Sequence, residues 1–120
     1  MTTNETPRGK IEIAPNAIAT LASHAVLQTY GVVGMASSNL ATDIASSLTR
    51  DPNRGIEVHQ EGSHIVIDVY VIIEYGTRIA SVANSLINGV RYTVEQSIGV
   101  PVGQVNVHVQ GLRVSRPERS

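Results

Sequence analysis

Four histidines carry most of the chemistry that the sequence offers: His24, His59, His64 and His108. His59 and His64 flank a Glu-Gly turn between two strand-like segments, so we expect them to be cross-strand neighbours. His108 lies on the polar face of the last predicted strand, and three converging imidazoles could hold a zinc ion. No carboxylate or cysteine stands at a matching spacing, and isolated histidines usually lie on a solvated face. We therefore predict no metal site, and His59, His64 and His108 are the cluster that could form one.

The carboxylates of the strongest strand segment do not suggest an acid/base pair. Asp68 and Glu74 are six residues apart, which is about 20 Å along a strand and too wide for paired acid/base catalysis. The sequence also has no nucleophile elbow, phosphate-binding loop or dinucleotide fingerprint. We predict that the protein is not an enzyme, and we expect no cofactor and no small-molecule substrate.

Composition narrows the possible partners. The 120 residues predict one domain, and an aromatic content of 3% with no Phe or Trp leaves little surface for stacking bases or sugars. A net charge of −1 gives no strong attraction to nucleic acid or anionic lipid. The chain has no cysteine, no apolar run near the ~20 residues of a membrane helix and no signal-peptide pattern at its start. We expect a cytoplasmic protein.

One stretch, His64–Ile98, is predicted to form the central strand and the long helix that would position any functional site. It opens with the alternating segment H-I-V-I-D-V-Y-V-I-I-E-Y, which predicts a central strand whose odd-numbered residues share one face. Gly76 and Thr77 interrupt it. Apolar residues then recur at intervals of three and four, which predicts a long helix that Gly99 ends. The stripe consists of Ile79, Val82, Ala83, Leu86, Ile87, Val90, Val94 and Ile98.

The other segments complete an α+β fold. Their patterns predict, in order, a strand at Gly9–Ala14, a helix at Pro15–Thr29, a shorter helix capped by Ser38 or Asn39, a strand at Ile56–Gln60 turning at Glu61-Gly62, and a last strand at Val102–Val114 with a bulge at Gly111. We predict a single-domain two-layer sandwich over residues 9–114, in the order β-α-α-β-β-α-β. Its mixed sheet has the helices on one face. Residues 1–8 and 115–120 are expected to be disordered tails.

The segment Gly31-Val32-Val33-Gly34 has two interpretations. As a G-x-x-G connection between two helices it resembles the K-homology domain, whose loop clamps a nucleic-acid backbone. The variable positions here are uncharged valines, however, and phosphate contacts normally require cations. We favour a tight apolar turn and keep a K-homology-like nucleic-acid-binding module as the alternative.

Two surfaces are candidates for protein contact. The apolar side chains of the Gly31–Met35 loop and of the second face of the central strand (Val66, Tyr70 and Ile72) exceed what a lone domain must bury. The surfaces that we predict for contact are this loop and the polar face of the last strand. The predicted interaction residues are Gly31, Val32, Val33, Gly34, Met35, Asn106, His108 and Gln110.

Four segments together resemble the alkaline shock protein family, the envelope stress response proteins of Gram-positive and related bacteria. They are G-K-I-E-I-A-P at 9–15, G-V-V-G-M at 31–35, I-D-V-Y-V-I-I-E-Y-G at 67–76 and V-N-V-H-V-Q-G-L at 105–112. The resemblance implies a small cytoplasmic protein without established enzymatic activity. Some members assemble into higher-order structures, and some are held at the membrane by a membrane-spanning partner. It implies a role in envelope stress response and homeostasis through protein–protein interaction and self-association, with a membrane-anchored protein as a second candidate partner.

Overall fold

The computed structural model describes residues 2–6, 9–36 and 55–114. Its helices are α1 at Pro15–Leu27 and α2 at Ile79–Ile98. Its strands are β1 at Thr2–Thr6, β2 at Gly9–Ile13, β3 at Val32–Met35, β4 at Ile56–Glu61, β5 at His64–Glu74 and β6 at Val102–Arg113.

Strand β5 is the centre of the main sheet. Strand β6 pairs with it in parallel along one edge, and β4 pairs with it antiparallel over His64–Val69 on the other. Strand β3 continues that second edge beyond β4. The partner of β5 on this edge changes from β4 to β3 at Tyr70. The Tyr70 N–H donates to Gly55 O at 2.9 Å, and the Tyr70 carbonyl accepts from Ala36 N–H at 2.9 Å. The predicted mixed sheet with a central strand is confirmed.

Both described helices pack on the same face of this sheet. The odd-numbered side chains of β5 form one core with residues of α1 and α2, and Ile67, Leu86 and Val90 are fully buried in it. Each such aliphatic side chain contributes about 1.5–3 kcal/mol when buried. Gly99, at φ 74°, ends α2 in the left-handed conformation that favours glycine. The predicted α+β class and the long amphipathic helix are confirmed.

The β4–β5 turn differs from the prediction by one position. The turn residues are Gly62 and Ser63, and Gly62 has φ 60°, which two-residue hairpin turns require. Glu61 therefore pairs with His64, and His59 pairs with Val66. The partner of each β4 residue moves by two positions, so every side chain stays on its predicted face. The expected His59–His64 pair is wrong.

Two segments predicted to be irregular are strands in the structure. Thr2–Thr6, expected to belong to a disordered tail, pairs antiparallel with β2; three of its five residues are threonine, a β-branched type suited to strands. Val32–Met35, expected to be a loop, is β3. The predicted helix from Ser38 or Asn39 and the tail at 115–120 lie outside the described residues.

Candidate functional site

The carboxylate of Asp68 is the centre of a polar network on the sheet face opposite the helices. Its Oδ1 accepts a hydrogen bond from Asn106 Nδ2 at 3.0 Å and lies 3.0 Å from His108 Nε2. Its Oδ2 lies 3.2 Å from His59 Nε2. The Asp68 side chain is only 15% exposed. Hydrogen bonds from these partners therefore replace much of the hydration that an exposed carboxylate would have.

Strand register brings these residues together. Glu57 pairs with Asp68 across the antiparallel β4–β5 ladder, and Asn106 pairs with Asp68 across the parallel β5–β6 ladder. Directly paired residues share a face and side chains alternate, so His59 and His108, each two positions further along its strand, lie on that face too. Three strands thus deliver polar side chains to one carboxylate.

Outer contacts hold this network in place. Gln104 Nε2 donates to Asn106 Oδ1 at 2.7 Å, which orients the Asn106 amide so that its nitrogen faces Asp68. The Tyr70 ring stacks on His108, with centroids 4.5 Å apart and planes 13° from parallel. Its hydroxyl donates to Glu57 Oε1 at 3.4 Å. We call Glu57, His59, Asp68, Tyr70, Asn106 and His108 the Asp68 cluster.

The electrostatics of the Asp68 cluster favour a charged carboxylate. Burial alone raises the pKa of Asp68, but hydrogen bonds with His108 and Asn106 and the attraction of His108 and His59 outweigh it and hold the pKa below its ordinary value. The pKa of Tyr70 is raised by burial and by the neighbouring charges of Glu57 and Asp68. The Asp68 carboxylate is therefore held in its charged form between two imidazoles.

The predicted histidine trio is only partly assembled. His59 and His108 meet at Asp68, but His64 does not join them: its ring lies over Gly103, where a Cβ would collide with it. Of the polar face predicted on β6, Asn106 and His108 belong to the Asp68 cluster. Gln110 has no partner on β5, because Val109 pairs with Val71 and Gly111 pairs with the next residue, Ile72. Gln110 is therefore the inserted residue of a β-bulge, and the predicted bulge is confirmed.

The Gly31–Met35 segment is less exposed than expected. Met35 is 2% exposed and Gly34 is buried, so their assignment to a surface is wrong. The K-homology interpretation needed an open loop between helices. Instead Val32, Gly34 and Met35 pair with the edge of β5 that β4 leaves free beyond Tyr70. Val32 and Val33 stay half-buried and line a pocket of about 340 Å³.

A patch of exposed apolar side chains lies beside that pocket and was missed from the sequence. Tyr75, Ile79 and Leu112, which are 63%, 41% and 47% exposed, line a second pocket of about 260 Å³. Thr77 lines both pockets, so the two are adjacent. Tyr30 and Val33 line the first. We call the exposed residues Tyr30, Tyr75, Ile79 and Leu112 the end patch, after its place at the end of the sheet.

Comparison with known proteins identifies the family. The sequence model of the alkaline shock protein 23 family, described as having a cell envelope-related function, matches residues 3–114. The chain belongs to this family. The match confirms the resemblance that the four sequence segments indicated, and the functional description that comes with the family is cell envelope-related.

Curated relatives match nearly end to end. YloU of Bacillus subtilis, described as an uncharacterized protein, is 46% identical over 114 residues, covering 93% of this chain and 95% of its own. The uncharacterized protein Spy1614 of Streptococcus pyogenes is 34% identical over 91% of this chain and 92% of its own.

Among solved structures, a MamM CTD chain is similar with a TM-score of 0.48 and 13% identity, covering 86% of this chain and 88% of that chain.

In residues 2–6, 9–36 and 55–114, no helix combines the length and apolar character needed to cross a membrane.

Proposed function

We propose that this protein is a non-enzymatic, cytoplasmic member of the cell envelope stress response that acts by binding proteins, including further copies of itself. The observation that carries the proposal is the end patch. Large apolar side chains that remain exposed together, rather than singly, mark a surface that another molecule covers.

The end patch is assembled from several elements of the folded domain. Tyr75 follows β5, Ile79 begins α2, and Leu112 lies near the end of β6. Because a turn and two regular elements hold these side chains, the patch needs little ordering upon binding. Aromatic and aliphatic anchors around pockets are the features that dominate binding energy in protein interfaces.

Strand β6 supports self-association in particular. Within the part of the chain that the structure describes, β6 pairs with β5 and with no other strand. An edge strand of twelve residues presents backbone donors and acceptors to a further strand. Val109 and Leu112 are exposed on this strand, so strand pairing and the end patch would engage the same partner copy.

The charge of the chain supports a protein partner over nucleic acid. Nine basic and ten acidic residues leave no large excess of either sign, and nucleic-acid binding draws most of its affinity from neutralised phosphates. The functional description of the family is cell envelope-related. We propose a membrane-anchored protein as the second ligand of the end patch, because such a partner would bring a cytoplasmic protein to the envelope.

Sedimentation velocity over a concentration series tests the proposal. We expect the wild-type protein to sediment as a concentration-dependent oligomer and Tyr75→Asp to shift it towards monomer, because a carboxylate buried in an apolar interface is strongly unfavourable. Tyr92→Asp is the matched control, since Tyr92 is 67% exposed on α2 and lies about 20 Å from Ile79 along the helix. A wild-type protein that is monomeric throughout, or equal effects of the two variants, would remove the end patch from the account.

A further inference from the structure

We propose that Glu57, His59 and Asp68 form a binding site for a divalent transition-metal ion of the zinc type. One potential ligand atom from each of the three residues lies within 4.8 Å of the other two. Glu57 and His59 come from β4 and Asp68 from β5, so the ion would join two strands. The site is independent of the end patch and of the proposed interaction with proteins.

The distance between the ligand atoms of His59 and Asp68 matches a tetrahedral ion. Zinc bonds of about 2.0–2.1 Å to nitrogen and oxygen separate neighbouring ligand atoms by roughly 3.3 Å in a tetrahedron. His59 Nε2 lies 3.2 Å from Asp68 Oδ2 and 3.8 Å from Glu57 Oε1. Closing all three onto one ion requires side-chain rotation, mainly of Glu57, whose ligand atom lies 3.8 Å from His59 and within 4.8 Å of Asp68.

The carboxylate of Asp68 is oriented before any ion arrives. Its Oδ1 is held by Asn106 at 3.0 Å and by His108 at 3.0 Å, which leaves Oδ2 directed at His59. Outer contacts of this kind fix ligand orientation in metal sites and commonly change affinity by about 10–100-fold. Gln104 in turn orients Asn106. This supporting layer distinguishes the site from a chance group of surface acids.

The ligand types select the class of ion. An imidazole nitrogen suits zinc and its transition-metal neighbours, whereas magnesium and calcium prefer oxygen ligands alone. Two carboxylates balance a double positive charge. The side chains of His59 and Glu57 are 48% and 45% exposed, so water completes the coordination and the ion exchanges with solvent.

Isothermal titration of ZnCl₂ into the full-length, untagged and chelator-treated protein tests the site. We expect one ion per chain, loss of binding in Asp68→Asn, and at least about tenfold weaker binding in His59→Gln. Asn106→Ala, which removes only a supporting contact, should weaken binding roughly tenfold. His24→Gln and His64→Gln are matched controls that should bind as the wild type does. Magnesium should not compete.

Cobalt substitution gives a second readout, because visible absorption of bound Co²⁺ reports the number and kind of its ligands. The wild-type protein should show a tetrahedral or five-coordinate spectrum that His59→Gln changes. Circular dichroism checks that each variant is folded, and His59→Gln alters an exposed side chain, so it remains informative if Asp68→Asn unfolds. The absence of saturable zinc binding, or equal losses in His59→Gln and His24→Gln, would overturn the proposal and leave the cluster as a charge pair.

Discussion

Gly31 lies so close to α2 that a Cβ at this position would stand 2.7 Å from Val82 Cγ2. The backbone there has φ 95°, and the Gly31 carbonyl accepts a hydrogen bond from Glu74 N–H at 2.8 Å. This contact fixes where β3 enters the sheet beside the start of α2. The pocket lined by Val32 and Val33 therefore depends on a glycine at this position.

The Gly31→Ala variant should be less stable by about 1–3 kcal/mol, because alanine is strained at positive φ and its methyl group meets Val82. Gly89→Ala is the matched control. Gly89 is inside α2 with no atom within 4 Å of an added Cβ, so alanine there should raise the free energy of unfolding by about 0.5–1 kcal/mol. Urea unfolding measures both. A stabilising Gly31→Ala would contradict the described path of the chain between α1 and β3.

Glu95 joins α2 to the start of β6. Its Oε2 accepts a hydrogen bond from Val102 N–H at 2.8 Å in a partly buried position. Glu95→Ala should cost about 1–3 kcal/mol, because it leaves that N–H without its partner. Glu95→Gln keeps an oxygen acceptor of the same length and should lose less. Thermal unfolding measures both variants, and equal losses would mean that this hydrogen bond does not support β6.

Asp68 should make the protein sensitive to acid. Its pKa is lower in the folded protein than the ordinary value of 3.8, so the unfolded chain binds more protons as the pH falls through this range. The stabilisation is complete above about pH 5 and is lost as the pH falls towards the folded pKa. We expect the difference in free energy of unfolding between wild type and Asp68→Asn to shrink as the pH falls from about 5 through 3.8. A difference independent of pH would contradict this linkage.

Hydrophobic periodicity is enough to predict the core but not every strand. The alternation of β5 and the stripe of α2 each repeat many times, so their type and buried faces follow from the sequence. Strand β3 has four residues, two of them valines beside glycines, and such a short run also fits a turn. Its assignment depends on the free edge of β5 beyond Tyr70, which is a tertiary feature.

The Asp68 cluster likewise could not be predicted from local sequence patterns. Asp68 is 38 residues from Asn106 and 40 from His108 along the chain. Only the parallel register of β5 with β6 brings them together, and no local pattern encodes it. One signal was available: Asp68 interrupts an apolar strand. A charged residue there needs partners, and polar residues alternate on both segments that flank β5.

We propose that copies of this protein meet at the end patch, and cross-linking between single cysteines tests this contact most directly. The chain has no cysteine, so Leu112→Cys and Tyr92→Cys each place one thiol at an exposed site. With a short bis-maleimide, Leu112→Cys should give a covalent dimer at protein concentrations where the wild type self-associates, and Tyr92→Cys should give no covalent dimer. A dimer formed equally by both variants, or by Tyr92→Cys alone, would contradict the account.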